Sequence, residues 1–159
     1  SLIRITERVN GDIVITIPDQ LLFNSGEAAM RSEALPFLEG LSAAIVELNR
    51  YTRVEGHTDN VPIRTAQFPS NWELSAARAV MVVRVLSELF AVPSERLSAV
   101  GHADTRPVTP NLDVEQRAKN RRVEVVILEQ APPAPQYEAG NTTGSGEPPL
   151  EEGASSPLP

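Results

Sequence analysis

Residues 52–90 read TRVEGHTDNVPIRTAQFPSNWELSAARAVMVVRVLSELF. The run opens with residues 52–58, which predict a short strand ahead of a proline-bearing loop. Residues 59–70 carry Pro62 and Pro69 and predict a loop. A helix is predicted over 71–90: Ser70 and Glu73 fit a capping box at its start, and Pro93 lies just past its end. At about 100° per residue, Leu74, Met81, Val82, Val85, Leu86 and Leu89 form one apolar stripe on that helix. Arg78 falls near the centre of the stripe.

The flanking sequence repeats the alternation of strand and helix. Upstream, a helix is expected over 32–49, with Pro36 near its start, where a missing N–H is harmless, and with Leu38, Leu41, Ile45 and Leu48 at helical spacing. Segments 2–9 and 12–17 flank Asn10-Gly11, the signature of a two-residue hairpin. Downstream come a strand over 97–101, a short helix near 113–119 and a strand over 121–128. Strands separated by helices of this length imply an α/β (α+β) two-layer sandwich, a mixed sheet with helices on one face and a hairpin at the N-terminus. There is no internal repeat.

Composition bounds the function. The chain has 159 residues, no cysteine and a net charge of −7, so neither a disulfide framework nor a thiolate metal site is available. No apolar run approaches the roughly 20 residues that cross a bilayer, and no signal peptide is visible. Ser1 is not a natural start, so an N-terminal portion is expected to be missing. Residues 1–128 hold 16 acidic and 14 basic side chains, whereas 129–159 hold 5 acidic and none basic. No basic stripe of the kind that binds nucleic acid is present. Seven of the 14 prolines also fall after Leu128. The expected organisation is a folded domain over 1–128 and a disordered, acidic, Pro/Gly-rich tail over 129–159, with a weak polyproline II signal at Pro132, Pro133 and Pro135.

A guanidinium on a core-facing stripe must find an anion or keep water, because burying it unpaired is very costly. Asp59 is the candidate: it closes the strand that carries Gly56-His57-Thr58, and ligands collect in the crevice at such strand ends. Two arrangements remain open. Asp59 and Arg78 neutralise each other, or both face a pocket whose guest is dipolar, its ammonium on Asp59 and its carboxylate gripped by Arg78.

The strings Val54-Glu55-Gly56-His57-Thr58-Asp59, Asn71-Trp72-Glu73-Leu74-Ser75-Ala76-Ala77-Arg78-Ala79, Arg96-Leu97-Ser98-Ala99-Val100-Gly101 and Arg117-Ala118-Lys119-Asn120-Arg121-Arg122-Val123-Glu124 together resemble the OmpA-like peptidoglycan-binding domain. The likeness runs from about Asp12 to Leu128. It implies a βαβαβαβ sandwich that holds the diaminopimelate residue of a peptidoglycan stem peptide without cleaving it. By that resemblance Asp59 takes the ammonium and Arg78 the carboxylate. Asn71 is a pocket residue and Arg121 a further carboxylate contact, while Thr58 and Trp72 are pocket neighbours. Successive strand residues face opposite ways, so Arg121 is assigned to the site and Arg122 to the structure.

The connection Asn60–Trp72, with its Phe68-Pro69-Ser70-Asn71-Trp72 run, is similar to that of MotB-like flagellar stator subunits. That branch implies a periplasmic domain of a protein anchored in the inner membrane. It also implies a homodimer, and a MotA-like channel subunit as partner through a region N-terminal to this one. The same pocket would serve an outer-membrane lipoprotein or a secretion-system wall anchor. The chain departs from the pattern at Gln116, Asp113 and His102.

An enzyme would need other residues. His57, Asp59 and His102 are suitable metal ligands, but no paired histidine spacing is present. Ser70 or Ser75 as a nucleophile lacks an elbow sequence. No metal, cofactor or catalytic residue is expected, and His57 and His102 are expected to pack at strand ends.

Overall fold

The computed structural model describes residues 2–137. Five strands form one sheet in the order β1 (Arg4–Glu7), β2 (Ile13–Pro18), β5 (Arg122–Ile127), β3 (Thr52–His57), β4 (Leu97–Gly101). Only β3 and β4 run parallel, and the helix between them, α2 (Asn71–Arg84), supplies the crossover such a pair needs. The remaining helices are α1 (Leu35–Leu48) and α3 (Val114–Asn120). This is the expected mixed sandwich.

Register places the core. Ile15 faces Val125, which faces Val54, and these three share one side of the sheet. On that side Leu38, Leu41 and Ile45 of α1 and Ala79 and Val82 of α2 pack into the same buried cluster. Glycine lets α2 lie directly on the strands. A Cβ at Gly56 would sit 2.1 Å from the Ser75 carbonyl oxygen, and one at Gly101 would sit 2.6 Å from the Ala76 nitrogen. The Ser75 hydroxyl donates to Trp72 O and accepts from Ala103 N at 3.0 Å, which fastens the helix to the chain leaving β4.

Three local expectations change. The hairpin has a three-residue connection: Arg8 N donates to Asp12 O, and Gly11 turns the chain at φ +90°, a conformation that strains any side-chain-bearing residue. Helix α2 gives way to a π turn over Val85–Leu89. A π turn advances by less than 100° per residue, so Leu89 drifts off the stripe and is exposed. Leu48 is exposed as well, because α1 ends there, with Asn49 left-handed at φ 54°. Of the expected tail over 129–159, residues from 138 lie outside the described residues, and 129–137 form no helix or strand.

Candidate functional site

Arg78 is 4% exposed, as its place on the apolar stripe demands, and its anion is Asp19. Arg78 Nη1 lies 2.8 Å from Asp19 Oδ2. Its Nε donates to Glu27 O at 2.8 Å and Nη2 donates to Asn24 O at 3.2 Å. The Phe23 ring centroid lies 5.0 Å from the guanidinium carbon, within cation–π range. One arginine of α2 thus gathers the loop that follows β2.

Asp59 is engaged elsewhere. Its Oδ2 accepts from Arg121 Nη1 at 2.7 Å and its Oδ1 accepts from Val61 N at 3.0 Å. Arg121 in turn stands 3.9 Å from Asp19 through Nε. The result is a charge chain, Asp59–Arg121–Asp19–Arg78, in which the two residues singled out from sequence are not each other's partner. Register explains the assembly: His57, Arg122 and Pro18 lie in one row across β3, β5 and β2. The residues just beyond them, or just before Arg122, therefore gather at one end of the sheet.

These side chains line one cleft of about 450 Å³. Asp59, Arg78, Asn71, Arg121 and Thr58 all line it, together with Asp19 and Arg117, which sequence reading did not identify. Asn71 donates to Val61 O at 3.0 Å and so holds the loop after β3. Thr58 N donates to Ala103 O at 2.9 Å, and the Thr58 hydroxyl donates to Asp59 O. Trp72 is a correction: it is 54% exposed and absent from the cleft wall, because it takes the solvent side of the first turn while Asn71 and Leu74 face inward. Arg122 does not enter the cleft. It is buried, donating to Asn120 O and Arg106 O at 3.0 Å each and lying 3.3 Å from Glu124. The cap roles of Ser70 and Asp113 hold: Ser70 accepts from Trp72 N at 3.2 Å and Asp113 from Gln116 N at 2.8 Å.

The metal set considered from sequence is not assembled, since Asp59 belongs to the cleft. The two histidines do meet, with ring centroids 5.0 Å apart and stacked, on the sheet face away from α1 and α2. Glu55 joins them there. Burial works against ionising Glu55, but the His57 and Arg53 contacts outweigh it and hold its pKa at about 2. Burial likewise opposes a charge on His57, and the carboxylates of Glu124 and Glu55 still raise its pKa.

No described helix is long and apolar enough to cross a membrane. The sequence pattern of the OmpA family matches residues 22–121. Motility protein B of Bacillus subtilis (strain 168) is 40% identical over 124 residues, covering 77% of this chain and 48% of that protein. Uncharacterized protein YtxE of the same strain is 42% identical over 115 residues, covering 72% of this chain and 48% of that protein. The chain therefore spans about half the length of these curated relatives. Among solved structures, the cell wall anchor of the T6SS from Pseudomonas aeruginosa superposes with a TM-score of 0.74 at 38% identity, covering 79% of this chain and 86% of that one. The periplasmic domain of Helicobacter pylori MotB superposes with a TM-score of 0.69 at 30% identity, with the same coverages of 79% and 86%. A pattern that runs from the loop gathered by Arg78 through Asp59 to Arg121 takes in most of the cleft as well as the fold, and the chain belongs to the OmpA family.

Proposed function

We propose that the cleft captures the dipolar end of a peptidoglycan stem peptide without covalent chemistry, and that this grip ties a flagellar stator to the cell wall. One observation carries the proposal: Asp59 and Arg78 line the same cleft and each is paired with a different residue. Three bonds occupy three of the five N–H groups of a guanidinium, so a carboxylate need not displace Asp19 to reach Arg78. Asp59 accepts two bonds where a carboxylate offers about four lone-pair sites, which leaves room for an ammonium. Arg121, about a third exposed, is the second carboxylate contact, and Asn71 keeps the loop wall in place.

Binding without cleavage is supported by what the candidate nucleophiles already do. Ser75 is buried and bonded to α2 and to Ala103, and Ser70 caps the helix. The motor assignment draws on the similarity to Motility protein B and to the periplasmic domain of Helicobacter pylori MotB. In that setting the domain is the periplasmic part of an inner-membrane protein. It pairs with a second copy and, through another region, with a MotA-like channel subunit, and bivalent attachment to one polymer raises avidity. The likeness to the T6SS cell wall anchor supports a second reading, a wall anchor of a secretion system that uses the same cleft.

The test is sedimentation with purified peptidoglycan. Wild-type protein pellets with the wall and releases no soluble fragments, while folded Asp59→Asn and Arg121→Ala variants stay in the supernatant. Pelleting by both variants overturns the cleft assignment, and fragment release overturns the non-catalytic one.

A further inference from the structure

The sheet face away from α1 and α2 carries a second polar site, remote in role from the cleft. Glu55 and His57 lie two residues apart on β3 and so point to the same side, and His102 follows the end of β4 beside them. One ligand atom from each lies within 4.8 Å of the other two. His102 Nε2 is 3.2 Å from Glu55 Oε1, and His57 Nε2 is 3.4 Å from the same oxygen. Donors about 2.0–2.1 Å from a tetrahedral zinc ion are about 3.3 Å apart, so both separations from Glu55 Oε1 match an edge of a zinc coordination shell.

His57 supplies an independent sign. It is 3% exposed, and neither ring nitrogen has a hydrogen-bond partner of adequate geometry. A buried imidazole in that condition is costly unless something else satisfies it. Its Nε2 nevertheless stands within 3.4 Å of two carboxylate oxygens, those of Glu55 and Glu124. The carboxylates are oriented from behind. Arg53 Nε holds the other oxygen of Glu55 at 2.7 Å, and Arg122 Nε holds that of Glu124 at 3.3 Å. Outer partners of this kind fix the ligands of metal centres.

We infer that Glu55, His57 and His102 form a binding site for one divalent transition-metal ion of the zinc class. Two imidazoles and one carboxylate suit zinc, cobalt or nickel and disfavour magnesium and calcium, which take oxygen ligands. Three protein ligands leave a coordination position for water, and Glu124 stands beside His57 to accept a bond from it. His102, the most exposed of the three, is the side from which an ion enters. A bound ion would clamp the exit of β4 to β3, the two strands on which α2 is seated. It would act on stability without touching the cleft.

The full 159-residue chain is stripped with chelator and titrated with Zn²⁺ by calorimetry and thermal melting, and with Co²⁺ by visible absorption. One ion per chain is expected, with a higher melting temperature and the intense ligand-field bands of low-coordinate cobalt. The chain has only two histidines, so the readout is clean. His102→Ala, which alters the least buried ligand and leaves the other two in place, should weaken zinc by more than the ~10–100-fold that loss of an outer partner costs. Glu55→Gln should lose the cobalt bands. If Glu55→Gln does not fold, His102→Ala and the wild-type spectrum still decide. No zinc-dependent shift in wild-type protein, octahedral cobalt only, or undiminished affinity in His102→Ala overturns the assignment and leaves the cluster as a histidine–carboxylate network without a metal.

Discussion

Asp19 and Arg78, 59 residues apart in sequence, are joined by an ion pair of 2.8 Å on the wall of the cleft. The pair makes Arg78 a structural residue as well as a cleft residue. Its guanidinium also holds the carbonyls of Asn24 and Glu27, so the loop after β2 depends on it.

The first prediction follows from that double duty. Arg78→Ala removes the partner of a largely buried carboxylate and releases the carbonyls of Asn24 and Glu27, so it should cost about 3–5 kcal/mol, the range for breaking a buried pair. Urea unfolding measures it. Asp19→Asn keeps a shape-matched acceptor and should cost less. A domain as stable after Arg78→Ala as before would show that the loop carries itself.

Asp59→Asn is the cleaner probe of the cleft, because Asp59 lies in the loop just after β3 and is held by Arg121 and Val61 N. Loss of one charge-assisted contact of about 1.5–3 kcal/mol predicts roughly 10–100-fold weaker binding to purified wall, with a small change in melting temperature. Trp72→Ala, outside the cleft wall, should bind like wild type. A pelleting assay on the three proteins side by side checks both statements.

How much of this was legible beforehand depends on distance along the chain. Strand β4 over Leu97–Gly101, the helix start at Asn71 and the Ser70 cap follow from neighbouring residues and appear as read. The need of Arg78 for an anion was legible too, since it depends only on helical periodicity. The anion's identity was not: Asp19 reaches Arg78 only through the strand order β2-β5-β3, which no local pattern encodes. Glu55 was missed for a related reason, because its meeting with His102 needs the β3–β4 register. Leu89 misled because the stripe assumed a constant turn angle, which the π turn breaks.

Gly56 and Gly101 set the height of α2 above the sheet. A Cβ at Gly56 meets the Ser75 carbonyl at 2.1 Å, and the obstacle is backbone, so the helix itself must rise. Gly56→Ala should therefore cost at least the ~1–3 kcal/mol of overpacking. It should also weaken wall binding, since Arg78 and Asn71 ride on the displaced helix. Gly40→Ala is the control, because a Cβ there meets nothing within 4 Å and alanine is the better helix former. Thermal melting with pelleting separates a shifted helix from a merely less stable one.

Asp12 predicts the acid limb of stability. Its Oδ1 accepts from Glu129 N at 2.8 Å, tying the chain beyond β5 to the hairpin, and its Oδ2 accepts from Asn10 Nδ2 at 3.1 Å. The Glu129 amide lowers the Asp12 pKa most, burial raises it, and Asn10 lowers it further, with a net depression. A carboxyl whose folded pKa is depressed gives its full stabilisation above the unfolded value, near ~3.9, and loses it as pH falls through the folded value. Asp12→Asn keeps the side-chain shape and one acceptor but has no charge to lose. The variant should therefore melt below wild type by a constant margin between about pH 5 and 7, equivalent to about 1.5 kcal/mol for a bond to a charged group. Below ~3.9 that margin should shrink as the wild-type carboxyl takes up its proton. A margin that stays flat to the acid end would mean that the Asp12 bonds hold as well when the group is neutral, and that the pH dependence of the domain arises at other carboxyls.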